Sequence, residues 1–562
     1  MRWAVPTAAA LLRFRDSGLD LQSTVARVPD TSTRVPDTSA RVPDTSARVP
    51  ETTAQVPDTT AQVPETTAQV ADAATRRVER RGWAAVAAIT GVVALTWLPL
   101  LRMPYGDNHL GRIVGRYALH LRNLQEQGVL GSHFGADWLP YAATPYAHHP
   151  PLFNLLTALT GLLPGDGEHQ VWLPAYLLAL LIIPAGAALL RGLGLRWSAT
   201  LLALGLTVAT PFYWVYSPLM FDLGPILALS ALVVRLRARP DPGRRLVAAA
   251  CVAALLSTLV SWPGVGFAAV LGLWLLAARR LDRVTVLVGA SMLTGVAISL
   301  GYVVGVTGLA LLGGQAELRS AGGGYTVPQF LRRQWGHVSE LLPVWYLAAL
   351  PPGVLAGLRD RRTRVYLAVA AGFTVAWILG FSNGAFVHSY WSYPVLVVGL
   401  VGAGVLLDRL TDLLLSTAPQ WPAQRLARRP VRVASAVLAG TALAAYLGVL
   451  VAGPDRQRLV DEPARAGRLV SGHPPPAGQQ YAWIAGESAT SARWLAYYWR
   501  LKPQQLTAAN LRTAPTRPGD LVLVNLDKRP EWLPGSIGST AVAQDGPYAL
   551  VPVAALDAVT GS

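Results

Sequence analysis

Tyr105-Gly106-Asp107-Asn108-His109 and Tyr146-Ala147-His148-His149-Pro150-Pro151-Leu152 lie in one long polar segment, which opens just after an apolar run from Trp83 to Leu101. That run is close to the ~20 residues a helix needs to span a bilayer. An acid, histidines and arginines are costly to hold at a membrane surface, so they mark a functional site. The reading requires the rest of the chain to be a membrane scaffold.

Composition agrees. Of the 562 residues, 52% are hydrophobic and 14% charged, and the mean hydropathy is +0.35. A soluble domain carries about 25% charged residues. The formal charge of +16 would suit nucleic acid, but the arginines cluster at the ends of apolar runs rather than along one helix or groove, which argues against that partner. The single cysteine, Cys251, sits in an apolar run, so neither a disulfide nor a cysteine metal site is expected.

Arg76, Arg77, Arg80 and Arg81 precede the first run, which places the N-terminus in the cytoplasm and residue 102 outside. Further spans are predicted near 171–190, 197–216, 222–238, 246–262, 264–278, 284–312, 341–358, 365–381, 390–407 and 433–452. The remaining arginine clusters fall between even-numbered and odd-numbered spans, as cytoplasmic loops should. The expected fold is therefore an α-helical polytopic membrane protein of eleven transmembrane helices, with a small C-terminal extracytoplasmic α/β domain. Leu152 to Leu163 is apolar but too short to cross. Residues 102–170 are thus expected to be one extracytoplasmic loop with interfacial helices. The other such helix runs from Gly111 to Gln127, with Ile113, Tyr117 and Leu121 on one side.

Three domains follow: 1–75, 76–452 and 453–562. In the first, seven heptapeptide units start at Arg27, Arg34, Arg41, Arg48, Gln55, Gln62 and Gln69. Proline in the first six forbids a continuous helix, and one valine per unit leaves no core, so a disordered cytoplasmic tether is expected. In the last, Tyr481 to Ala485, Leu521 to Leu526 and Tyr548 to Val553 read as strands, and Ser488 to Leu501 as a helix. Trp483, Trp494, Trp499 and Trp532 could stack on sugar, though tryptophans in so small a domain more often form its core. Segment 313–340 reads as a loop in which Gly322-Gly323-Gly324 hinges a lid or simply connects.

Asp107, at the rim of a membrane cavity, is placed to act as a general base. Asp222 begins the fourth span after the aromatic cluster Phe212, Tyr213, Trp214 and Tyr216, where it could instead favour the helix N-terminus. His388-Ser389-Tyr390-Trp391 occupies the outer end of the tenth span. All these elements share one membrane face.

Their order resembles the C-type glycosyltransferase superfamily, specifically the group containing protein O-mannosyltransferases and bacterial lipid A aminoarabinose transferases. The resemblance covers about residues 83–407, and His149-Pro150-Pro151-Leu152 is its most specific part. It implies a bacterial plasma-membrane enzyme that takes a hexosyl or pentosyl group from a polyprenyl-phosphate donor. Transfer would be to a cell-envelope acceptor (glycan, lipid or protein) at the extracytoplasmic face. By resemblance Asp107 is the catalytic acid and Asp222 a second active-site aspartate. Displacement with inversion releases a phosphate that needs cationic donors. Arg112, Arg116, Arg332 and Arg333 lie on the correct side, and His148, His149, His388 and Tyr390 complete the expected substrate-binding set. Family members often place a second acid after the first, where this chain has Asn108; a divalent cation is thereby left open, and no other cofactor is required. The competing readings are an inactive scaffold of the same fold and a polyprenyl-linked glycan transporter or ligase. A transporter would want inverted repeats and mid-span charges, which the sequence does not show.

Overall fold

The computed structural model describes residues 63–560 except 137–146, 148, 166, 220, 278–281, 321–323, 418–456 and 487–491. The predicted span 433–452, His148 and most of the heptapeptide segment therefore lie outside the described residues.

The first helix, α1 (Val63–Trp97), begins inside the repeats, ahead of the boundary expected at residue 75. Its start is permissive: Pro64 falls in the first turn, where a missing N–H costs nothing, and the seventh unit has Ala71 in place of proline. Next come α2 (His109–Gly131), α3 (Leu152–Thr160), α4 (His169–Leu180) and α5 (Ile182–Gly192). At nine residues, α3 is too short to cross, as expected. The predicted span 197–216 is broken into α6 (Trp197–Val208) and α7 (Pro211–Tyr216), because Pro211 and the Thr210 side chain, which accepts from the Tyr213 N–H, start a new helix. The two segments meet at 63°.

Four helices follow: α8 (Leu223–Arg237), α9 (Arg244–Val260), α10 (Trp262–Ala277) and α11 (Arg283–Thr307). Gly308, at φ +83°, then ends α11, so the predicted span 284–312 divides there and α12 (Leu309–Ser320) is separate. The loop expected over 313–340 is largely helical instead. It holds the end of α12 and α13 (Val327–Leu341), which a reciprocal Thr326/Gln329 capping box initiates. The helical part closes with α14 (Val344–Arg359), α15 (Arg364–Gly380), α16 (Ser382–Val387) and α17 (Val395–Thr417). Among the described residues three helices are long and apolar enough to cross a membrane, or five if each bent pair counts as one span, against the eleven predicted. Of the other predicted spans, α8, α9, α10 and α15 fall short at 15, 17, 16 and 17 residues, α17 has 23 residues but carries Asp408, Arg409 and Asp412, and 433–452 lies outside the described residues.

The C-terminal part consists of α18 (Glu462–Gly472), β1 (Tyr481–Ala485), α19 (Arg493–Trp499), β2 (Lys502–Leu506), β3 (Leu521–Asn525), β4 (Ala543–Asp545), β5 (Tyr548–Pro552) and α20 (Val553–Thr560). The strands form one sheet in the order β2-β1-β3-β5-β4, parallel at β2/β1/β3 and antiparallel beyond. Side chains alternate between faces. Trp483, Val522, Val524, Ala549 and Val551 fill a core on the far side, while Ile484, Leu521, Leu523, Tyr548 and Leu550 join the core of the helical part. The same alternation turns Asn525 toward the helices. Trp483 and Trp494 are fully buried, and the Trp499 indole donates to the Val470 and His473 carbonyls, so these are packing groups rather than a sugar platform. Trp532 packs beside the far core.

The two parts meet backbone to backbone. A Cβ on Gly106 would lie 1.9 Å from the Pro463 carbonyl oxygen, and one on Gly467 would lie 1.9 Å from that of Tyr105. Only glycine permits such an approach. The Tyr498 hydroxyl accepts from the Tyr105 N–H at 2.9 Å and donates to Glu168 at 2.8 Å. Burial pushes the Tyr498 phenol well above its ordinary range, which keeps it a donor. Arg122 donates to the Ala496 and Tyr497 carbonyls and lies 4.8 Å over the Tyr497 ring.

Candidate active site

Asn108 is the N-cap of α2, and its side chain accepts from the Gly111 N–H at 2.6 Å. An N-cap satisfies one of the orphan donors of a first turn, so the amide at the position of the expected second acid has a local task. Capping also fixes what comes either side of it. Arg112, one turn into α2, reaches back to Asp107 with Nη2 2.5 Å from Oδ1.

The other carboxylate oxygen faces the C-terminal sheet. Asp107 Oδ2 accepts from Asn525 Nδ2 at 3.1 Å and from the Tyr548 hydroxyl at 3.3 Å, with Lys528 Nζ 3.5 Å away. Asn525 and Tyr548 are register partners at the ends of β3 and β5, so pairing presents both to one point. The Asn525 side-chain oxygen accepts from the N–H groups of Asp527 and Lys528. That turn brings Lys528 round beside the carboxylate. Asp107 is 8% exposed. A guanidinium, an ammonium and two neutral donors around one carboxylate do not fit a divalent cation. Among the described residues no three His, Cys, Asp or Glu side chains are grouped to hold a metal.

Asp107 lines a cavity of about 330 Å³ shared between the helical part and the C-terminal sheet. Beyond it lies a cavity of about 1050 Å³ walled by Arg116, His149, Asp222, Arg319, His388 and Tyr390 together with apolar residues such as Val265, Leu300 and Phe373. Arg112 lines both. Asp222 is 2% exposed and makes no capping bond on α8. It stands at the N-cap of α8, where its charge faces the helix N-terminus, and its Oδ2 also accepts from the Tyr393 hydroxyl at 2.5 Å. The His388 ring stacks on Tyr390 at 5.2 Å, and the Arg319 guanidinium lies 5.4 Å from the Trp391 ring. Tyr390 lies 6.0 Å from Tyr216, which lines the smaller cavity.

The residues expected from sequence thus divide. Arg112, Arg116, His149, Asp222, His388 and Tyr390 surround the larger cavity, and Asp107 adjoins it. Arg332 and Arg333 line neither cavity: Arg332 is exposed on α13, and Arg333 donates to the Phe386 carbonyl. Arg319, from the segment read as a loop, and the buried Arg493, from α19, supply cations instead. The His-Pro-Pro-Leu helix acts through Asn154, which meets His120 at 3.1 Å and donates to the Phe134 and Gly135 carbonyls, holding α3 on α2. Asn525, Lys528 and Tyr548 were not foreseen. The one local signal is the polar cluster Asn525, Asp527 and Lys528 closing an apolar strand.

No family model matches the chain, and no curated protein does. Among solved structures it is similar to the crystal structure of ArnT from Cupriavidus metallidurans bound to undecaprenyl phosphate, with a TM-score of 0.56 and 17% identity over 84% of this chain and 98% of that one. Against ArnT from the same organism in the apo state the TM-score is 0.53, with 20% identity over 85% of this chain and 99% of that one. The chain therefore shares the fold of ArnT over nearly the whole of that protein.

Proposed function

We propose that this chain, carrying the ArnT fold, is a membrane glycosyltransferase that moves a sugar from a polyprenyl-phosphate donor to a cell-envelope acceptor. The observation that carries the reading is the larger cavity. Its aliphatic and aromatic wall suits isoprenoid chain, and Arg112, Arg116, Arg319 and Arg493 offer guanidinium groups for a phosphate. Undecaprenyl phosphate, bound in one of the similar structures, has this chemistry.

In this reading an acceptor hydroxyl oxygen attacks the anomeric carbon while its proton passes to Asp107. The bond from that carbon to the phosphate oxygen breaks, and polyprenyl phosphate departs with the bonding pair toward the guanidinium groups. Fixed donors facing a developing anion in a water-poor site are worth far more than in bulk water. A single displacement inverts the anomeric configuration. Asp222, held by Tyr393, positions the transferring sugar. The arginine distribution along the sequence supports a cytoplasmic N-terminus and an extracytoplasmic site in a bacterial plasma membrane.

The test is a membrane assay with radiolabelled polyprenyl-phosphate hexoses and pentoses. Label should move to an acceptor, or slowly to water, from at least one donor. Failure with every donor would favour the scaffold or transporter readings.

A further inference from the structure

With the donor in the larger cavity, the smaller one has no assigned occupant, and its walls differ in kind. We propose that it is the acceptor subsite and that it takes the sugar end of a glycan, with the C-terminal sheet forming half of its wall. This rests on the donor assignment above.

Three observations converge. The cavity, about 330 Å³, is at the small end of ligand sites, sized for a chain end rather than a folded segment. Its wall carries the carboxylates of Glu462 and Asp527, the Asn525 amide, Lys528 and the Tyr216 ring. Carboxylates accept from adjacent sugar hydroxyls, and an aromatic ring covers a sugar face. Position is the third. Asp107 lines this cavity alone, Arg112 lines both, and the donor arginines Arg116, Arg319 and Arg493 line only the larger one. A hydroxyl that gives its proton to Asp107 must therefore enter from the smaller cavity. The departing phosphate is held in the larger one, and the new glycosidic bond forms at the Arg112 junction. Lys528 and Asn525 act through Asp107 as positioning residues.

The experiment uses the full chain in detergent, with the radiolabelled donor panel and octyl mono- and disaccharides of hexoses and pentoses as acceptor probes. Asp527 is exposed and Glu462 half-buried, so neither supports the core. In Asp527→Asn and Glu462→Gln the KM for the saccharide should rise about tenfold, as loss of a charged hydrogen bond predicts, while the KM for the donor does not move. Independently of turnover, maleimide labelling of Asp527→Cys should be slowed by the octyl disaccharide and not by polyprenyl phosphate. An unchanged saccharide KM, or labelling slowed only by polyprenyl phosphate, overturns the proposal. So does transfer to serine- or threonine-containing peptides with none to any saccharide. If the wild-type chain neither transfers nor hydrolyses any donor, the donor reading falls and this proposal with it.

Discussion

Asp107 and Asp222 are both buried, and both accept from a tyrosine hydroxyl, yet they are held in different ways. Asp222 is gripped within the helical part, where the Tyr393 hydroxyl meets its Oδ2. Asp107 is gripped across two parts of the chain, by Arg112 from the first turns of α2 and by Asn525, Tyr548 and Lys528 from the C-terminal sheet. The first arrangement depends on elements of the helical part alone, the second on docking of a separate sheet. Damage to the sheet residues Asn525, Lys528 and Tyr548 should therefore register at Asp107 and leave the Asp222 side working.

The largest expected effect is at Asp107 itself. Asp107→Asn keeps the shape and cannot take the proton, so turnover at saturating donor should fall by ~10² to 10⁴, the usual cost of losing a general base. A near wild-type rate would end the contrast between the two aspartates. Lys528→Met comes next. It should lower kcat by about tenfold, a charged hydrogen-bonding partner being worth that much, with the donor KM unmoved and Lys528→Arg restoring most of the rate. A rise in donor KM instead would mean that the sheet serves the donor side. Asp222→Asn should show the opposite split, raising the donor KM by about tenfold on the same grounds and lowering kcat less, measured with folding checked by gel filtration. The smallest effect is expected from deleting residues 1–62, which precede α1. Transfer in membranes should stay within a few-fold, and loss of activity at normal expression would show that the repeats contribute to function.

What was legible in the sequence follows the range of the interactions. The helical class, the short non-spanning helix at Leu152 and the order of Asp107, His149, Asp222 and His388 could be read because hydropathy, prolines and local order carry them. Span lengths were misjudged where a local device interrupts an apolar run, as Thr210-Pro211 and Gly308 do. Lys502-Pro503-Gln504-Gln505-Leu506 gave no strand signal because β2 is a polar edge strand, paired only on its β1 side. The donors to Asp107 from the tail were beyond reach for a different reason. Asn525 and Tyr548 lie 418 and 441 positions from it, and alternation within a strand says which face a residue takes, not what lies opposite.

The separation of Asp107 from its sheet partners also sets an order of events during biosynthesis. The loop carrying Asp107 leaves the ribosome 418 residues ahead of Asn525, so the centre is completed only when the last part of the chain has been made and delivered to the same side of the membrane. A chain interrupted before β3 would hold a donor cavity while lacking the wall that positions the base. On the proposed function, nascent or truncated molecules would hold a lipid-linked sugar without discharging it, and the timing of activity is written into the distance along the chain.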